Sequence, residues 1–131
     1  MTRAPIYSGV AADVASTIAA YAHAWDDGLV DDVVALYCDD ATIDLPGIGV
    51  VSGLEAIERL YSDLVSDHRS RHVFANTHVS SWTADTAVAT SDLIVLGGDP
   101  WSVQAVGRYV DTFRYQDGAW LFHTRTLTLV E

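Results

Sequence analysis

Cysteine is almost missing. Cys38 stands alone among 131 residues, so no disulfide can close within the chain, and a reducing compartment is the expected setting. A lone thiol with no base beside it in sequence reads as a small buried residue rather than a nucleophile. Positive charge is scarce as well: 7 Lys and Arg face 18 Asp and Glu, a formal charge of -11. A surface that grips phosphates carries the opposite sign, which argues against nucleic acid and anionic membranes as partners. No apolar run approaches the ~20 residues needed to cross a bilayer. The N-terminal stretch has Arg3 as its one basic residue and no continuous apolar region behind it, so no leader is expected. These absences point to a soluble, cytoplasmic protein. Repeats, linkers and low-complexity tracts are also lacking, and residues 1–131 read as one domain. No cluster of His, Cys, Asp and Glu has metal-ligand spacing, so neither a metal nor a cofactor is expected.

What is present is apolar bulk. Hydrophobic residues make up 50% of the chain, enough for a core without a metal or disulfide staple. The first half has helical spacing. Asp13 is placed to cap a helix whose inner stripe is Val14, Thr17, Ile18, Tyr21 and Trp25, with Gly28 ending it. A second, short helix has Asp31 and Asp32 in its first turn and turns Val33, Val34 and Tyr37 inward. Ala41 to Leu45 is strand-like, and Pro46-Gly47 turns it. Ser52 with Glu55 has the spacing of a capping box, opening a helix that buries Leu54, Ile57, Leu60, Tyr61 and Leu64.

From residue 71 the period falls to two, which predicts strands at 71–81, 86–96, 102–115 and 119–130. The turns Thr83-Ala84-Asp85, Gly97-Gly98-Asp99-Pro100 and Gln116-Asp117-Gly118 are short, so neighbouring strands are antiparallel. Helices followed by a meander imply an α+β fold. A twisted sheet of this length is expected to curl around the helices and leave a cone with an apolar interior, the natural ligand site.

Several motifs fall in a telling order: Tyr21-Ala22-His23-Ala24-Trp25-Asp26-Asp27-Gly28, Cys38-Asp39-Asp40-Ala41, Gly47-Ile48-Gly49, Ser52-Gly53, His72-Val73-Phe74-Ala75-Asn76, Gly107-Arg108-Tyr109-Val110-Asp111 and Asp117-Gly118-Ala119-Trp120. From about Val14 to Leu129 the chain resembles the NTF2-like superfamily and its SnoaL-like branch, which holds dehydrochlorinases, scytalone dehydratase, bile-acid 7α-dehydratase and polyketide cyclases. The resemblance implies a cone-shaped, curved antiparallel sheet wrapped around three N-terminal helices. It also implies a homo-oligomer, dimer or trimer, joined through the outer face of the sheet. In the dehydrochlorinase and dehydratase group an Asp near the end of the first helix pairs with a His at the start of the first long strand. Those positions match Asp26 and His72, while Arg125 and Tyr21 match an Arg of the last strand and a Tyr of the first helix.

A carboxylate in the last turn of a helix opposes the dipole and needs a donor. His72 can supply one ring N–H, which fixes its tautomer and leaves the other nitrogen as a base. Arg125, sharing strand parity with Leu121, His123 and Leu127, would then face the cavity and steady a developing anion, with Tyr21 donating to a substrate oxygen. The set suits a cofactor-independent lyase or isomerase that takes a C–H proton from a small hydrophobic or polycyclic molecule. Trp25, Phe74, Leu93, Val95 and Tyr109 are the expected cavity walls.

Other readings stand beside this one. Asp-Asp-Gly at a helix end is also ordinary turn chemistry, a strand His is commonly structural, Arg125 has the option of a structural ion pair, and Tyr21 of the core. Asp39, Asp40 and Trp120 read as structural. Arg108 and Asp111 have opposite parity, so at most one faces inward, and His78 shares parity with His72 unless a bulge intervenes. His23, His68 and His123 show no partner pattern. Ketosteroid isomerases of this fold place their base where this chain has Leu45, and scytalone dehydratase uses a second His where strand 86–96 offers Thr90, Ser91 and Asp92. With the last strand ending the sequence, the cavity mouth is expected to be open or covered by a neighbouring subunit. The alternatives are a polyketide cyclase, an epoxide hydrolase built on an Asp–Arg–Asp set, or a non-catalytic ligand-binding module such as the β chains of ring-hydroxylating dioxygenases.

Overall fold

The computed structural model describes residues 8–65, 67 and 69–130; Arg3 and His68, both weighed above, lie outside them. The first helix, α1 (Ser8–Asp26), begins well before Asp13, which lies inside it, exposed, and is not its cap. The Ala-rich run from Ala11 onward explains the extension, because Ala costs nothing in a helix. Val14, Ile18 and Tyr21 are buried, and Thr17 and Trp25 half-buried, as their spacing requires. The helix stops at Gly28, which takes φ 73. Leu29 N–H donates to Ala24 O at 2.9 Å and Gly28 N–H to Trp25 O at 3.1 Å, the paired bonds of a Schellman end. Asp26 is therefore the last helical residue.

A short helix, α2 (Val30–Val34), buries Val33 and leads into strand β1 (Tyr37–Leu45). This strand starts earlier than the Ala41–Leu45 segment read from sequence. It turns at Pro46-Gly47 into β2 (Gly49–Ser52), a strand the pattern did not announce. Ser52 pairs with Thr42 across that hairpin, so the N-cap of α3 (Leu54–Leu64) is Gly53, at φ 85 and with no side-chain capping bond. The capping-box expectation fails because the sheet claims Ser52 first. Ile57 and Tyr61 are buried in α3, Leu54 and Leu60 half-buried, and Leu64 is exposed rather than packed.

The four long strands fall where the period-two pattern placed them: β3 (Ser70–Trp82), β4 (Thr86–Gly97), β5 (Ser102–Gln116) and β6 (Ala119–Leu129). The sheet order is β2-β1-β6-β5-β4-β3, antiparallel throughout except for the parallel pair that joins the first strand, β1, to the last, β6. It curves without closing, so β2 and β3 are its edges. The core lies between its concave face and the helices, with α1 along β3. Gly107 stands where β6 leaves no room for a side chain on β5: a Cβ there would lie 2.9 Å from Thr128 O. No helix among the described residues is long and apolar enough to cross a membrane.

Candidate functional site

The Schellman end of α1 and the start of the edge strand β3 meet at one carboxylate. Asp26 Oδ1 lies 2.6 Å from His72 Nδ1, and the backbone N–H of His72 donates to the same carboxylate at 3.1 and 3.0 Å. The sequence-predicted pair is therefore in hydrogen-bond contact. The contact is drier than a surface pair, since the side chains are 16% exposed for His72 and 7% for Asp26. A carboxylate only accepts, so Nδ1 carries a proton, and in the neutral form of the ring Nε2 is the acceptor. Among the described residues Nε2 has no hydrogen-bond partner. Trp25 flanks the ring at 6.3 Å between centroids.

Arg125 points inward, but not for the reason its parity suggested. β6 bulges between Phe122 and Thr124, where Phe113 pairs with Phe122 and Thr112 with Thr124. The extra residue, His123, shifts the alternation, so Arg125 shares the inner face with Trp120 and Phe122 while Leu121 and His123 lie on the other. Inside, its guanidinium forks onto Asp111, Nε–Oδ1 at 2.8 Å and Nη2–Oδ2 at 3.3 Å. Both side chains are fully buried. The rings of Tyr21, Tyr109 and Phe122 stand 4.4, 3.9 and 4.0 Å from its Cζ. Burial opposes the Arg125 charge, yet Asp111 and the neighbouring hydroxyls more than offset it and hold its pKa up. Burial also raises the Asp111 pKa, with Arg125 opposing it; the two-point contact decides for the ion pair.

A chain of hydroxyls continues from this cation. Arg125 Nη1 donates to Tyr37 at 3.4 Å, Tyr37 lies 2.6 Å from Tyr61, and Tyr61 3.1 Å from Tyr21. The cone is thus filled by an ion pair and phenols, where an apolar cavity was expected. Arg125 and Tyr21 belong to that packed interior, apart from the clefts beside His72. Asp111, Tyr37 and Tyr61 are the members that sequence reasoning did not join. The one available signal was parity: Asp111 is the inner member of the Arg108/Asp111 pair, and Arg108 faces out to Asp92 at 2.8 Å.

Two clefts meet at the dyad. One, of about 300 Å³, opens at the mouth of the cone between Trp25, Asp26, Leu64, Val65, His72 and Val95. The other, of about 610 Å³, runs between α1 and β3 past Asp26, His72, Ile18, Ala22, Phe74 and Thr77. Of the five expected wall residues, Trp25, Val95 and Phe74 border these clefts. Leu93 and Tyr109, 3% and 4% exposed, lie in the packed interior and reach neither. A larger hollow of about 730 Å³ by the β4–β5 turn is lined by Arg69, Ser70, Asp99 and Gln104 and holds no dyad residue.

The remaining histidines separate. β3 bulges between Ala75 and His78, with Asn76 at φ 55, so His78 turns out to solvent and Thr77 turns in. His123 lies 3.0 Å from Arg114, which also binds Asp40 at 3.0 Å on the outer face. Cys38 is fully buried, and desolvation raises its pKa. Among the described residues no three His, Cys, Asp or Glu side chains gather to hold a metal ion.

Solved structures share this architecture at low identity. A variant of Rv3472, a Mycobacterium tuberculosis protein of unknown function, superposes with a TM-score of 0.84 at 19% identity, over 91% of this chain and 75% of that one. A candidate dehydratase of the NTF2-like family from Streptomyces avermitilis gives 0.82 at 20%, over 94% and 97%. A type 2 hexachlorocyclohexane dehydrochlorinase, LinA, gives 0.80 at 17%, over 94% and 86%. At these identities the likeness is one of fold, and no curated protein matches the chain. The family evidence comes from the sequence itself: the model of the SnoaL-like domain matches residues 10–126. This chain is a SnoaL-like domain with the NTF2-like fold.

Proposed function

We propose that this SnoaL-like domain is a cofactor-independent lyase or isomerase that removes a proton from carbon in a small hydrophobic substrate. His72 Nε2 takes the proton, and Asp26 holds the ring in the required tautomer and stabilises the imidazolium that forms. The electron pair left on carbon either expels a leaving group from the neighbouring carbon or moves a double bond, with the proton returned elsewhere. The observation that carries the reading is the triple grip of Asp26 on His72, through Nδ1 and the backbone N–H, beside two clefts. General-base catalysis of this kind contributes roughly 10² to 10⁴ in rate.

In this proposal Arg125 and Tyr21 act as positioning residues. Their resemblance-based role, direct stabilisation of an anion, would require the aromatic shell around a cation that is 1% exposed to open. The epoxide-hydrolase alternative loses ground for a related reason, because Asp26 is bound to His72 and leaves Arg125 with Asp111.

We also propose that copies of the chain join as a homo-oligomer, dimer or trimer, through the outer face of the sheet. Val73, Ile94 and Val106 are register neighbours on the outer face of the sheet, and Val106 accepts from the N–H of Val130. Val73, Val106 and Val130 are 40%, 40% and 67% exposed, an apolar row suited to a second copy.

Exchange of C–H protons for deuterium, followed by NMR across a panel of activated ketones, phenols and halocarbons in D₂O, tests the catalytic reading. Wild-type protein is expected to exchange at least one member, His72→Gln to lose that exchange, and the melting temperature to stay nearly unchanged. Full exchange in His72→Gln would end the proposal.

A further inference from the structure

The cleft between α1 and β3 is long rather than round. Its helical wall runs through Ala15, Ile18, Ala22 and Asp26, positions three and four residues apart on one face of α1. Its strand wall runs from His72 through Phe74 to Thr77. At ~1.5 Å per helical residue and ~3.3 Å per strand residue, both walls measure about 16 Å. Polar and charged lining collects toward the dyad end, where His23, Asp27 and Arg71 join Asp26 and His72. The middle is apolar, and alanines at 19 and 22 keep the helical wall shallow there.

The far end carries one hydroxyl, that of Thr77, which the β3 bulge turns inward. Its Oγ1 lies 2.9 Å from Oγ of Ser91, a residue 1% exposed on the neighbouring strand. Each hydroxyl has one proton and two lone pairs, so a pair joined by one bond keeps a proton and acceptor capacity for a third oxygen.

We propose that this cleft is the substrate site and that it takes an elongated, rigid apolar molecule. The acidic C–H lies at His72, and a hydroxyl or carbonyl oxygen at the opposite end bonds to the Thr77–Ser91 pair. The orientation of the ligand rests on the reading of His72 as the base; the location of the ligand does not. Because the two hydroxyls satisfy each other without a ligand, the oxygen is worth about three- to tenfold in affinity.

Backbone-amide NMR titrations with 4-hydroxybiphenyl and biphenyl test this. Saturable shifts are expected along Ala15–Asp26 and Phe74–Thr77. Ala19→Leu, which fills the middle of the cleft at an exposed helical position, should weaken both ligands at least about tenfold. Thr77→Val should weaken 4-hydroxybiphenyl about three- to tenfold and leave biphenyl unchanged. Shifts centred on Leu64 and Val65, equal losses for both ligands in Thr77→Val, or no saturable shift would overturn the assignment. The same shift pattern in His72→Gln, with no proton exchange in the wild type, would remove the base and keep the cleft. Exchange without these shifts would do the reverse.

Discussion

Asp26 spends both carboxylate oxygens on one neighbour, and that decides what substitution there does. In Asp26→Asn the backbone N–H of His72 still needs an acceptor, so the amide oxygen turns to it and the amide NH₂ faces Nδ1. Nδ1 must then accept, the proton moves to Nε2, and the base is lost. The expected result is a rate lower by roughly 10² to 10⁴ with stability nearly kept, read from proton-exchange kinetics and a melting curve. Asp26→Ala removes the acceptor altogether and should cost about 1–3 kcal/mol as well. The buried pair behaves differently. Asp111→Ala strands the Arg125 guanidinium and should cost about 3–5 kcal/mol, while Arg125→Met with Asp111→Leu should recover most of that in denaturant titrations. At this scale the His72–Asp26 contact was legible, because it sits in motifs that resemble a family. The Arg125–Asp111 contact was not, because it depends on two strands being in register.

The helices and long strands were readable because their signals are local: spacing of three and four, alternation, and turn residues. The misreadings share a cause. Asp13 and Ser52 have the chemistry of caps, but α1 starts earlier and β1 takes Ser52 into a hairpin. Bulges escape sequence reading altogether, since they are relations between strands. The β6 bulge is secured by Thr112, whose Oγ1 accepts from Thr124 N–H at 3.1 Å and lies 2.6 Å from Thr124 Oγ1. Inserting one residue between Thr124 and Arg125 shifts the alternation by one and sets Arg125 on the face of Leu121. That should destabilise the protein by more than about 4 kcal/mol, or prevent folding, as judged by circular dichroism and soluble yield.

Over the whole molecule, a chain of charge -11 keeps one cation sealed inside a ring of phenols. Burial pushes Tyr21 and Tyr37 up to about 12 from the ordinary 10.0. Their protons stay on in the fold after they have left the unfolded chain, so this stability is complete below pH 10 and declines as pH rises toward about 12. Tyrosinate absorbance from these two residues should therefore appear together with loss of near-ultraviolet circular dichroism, and its appearance in a still-folded protein would contradict the packed interior. The proposed homo-oligomer makes a separate prediction. If copies join through the outer face, wild-type protein sediments as an oligomer and Val106→Lys as a monomer with the fold unaltered. A monomeric wild type would end that proposal.

The account stands or falls on which ring nitrogen of His72 carries the proton. Long-range proton–nitrogen NMR on the neutral ring reads this directly. A protonated Nδ1 and a bare Nε2 in the wild type, reversed in Asp26→Asn, is the result the geometry requires. A wild-type ring with its proton on Nε2 would contradict it.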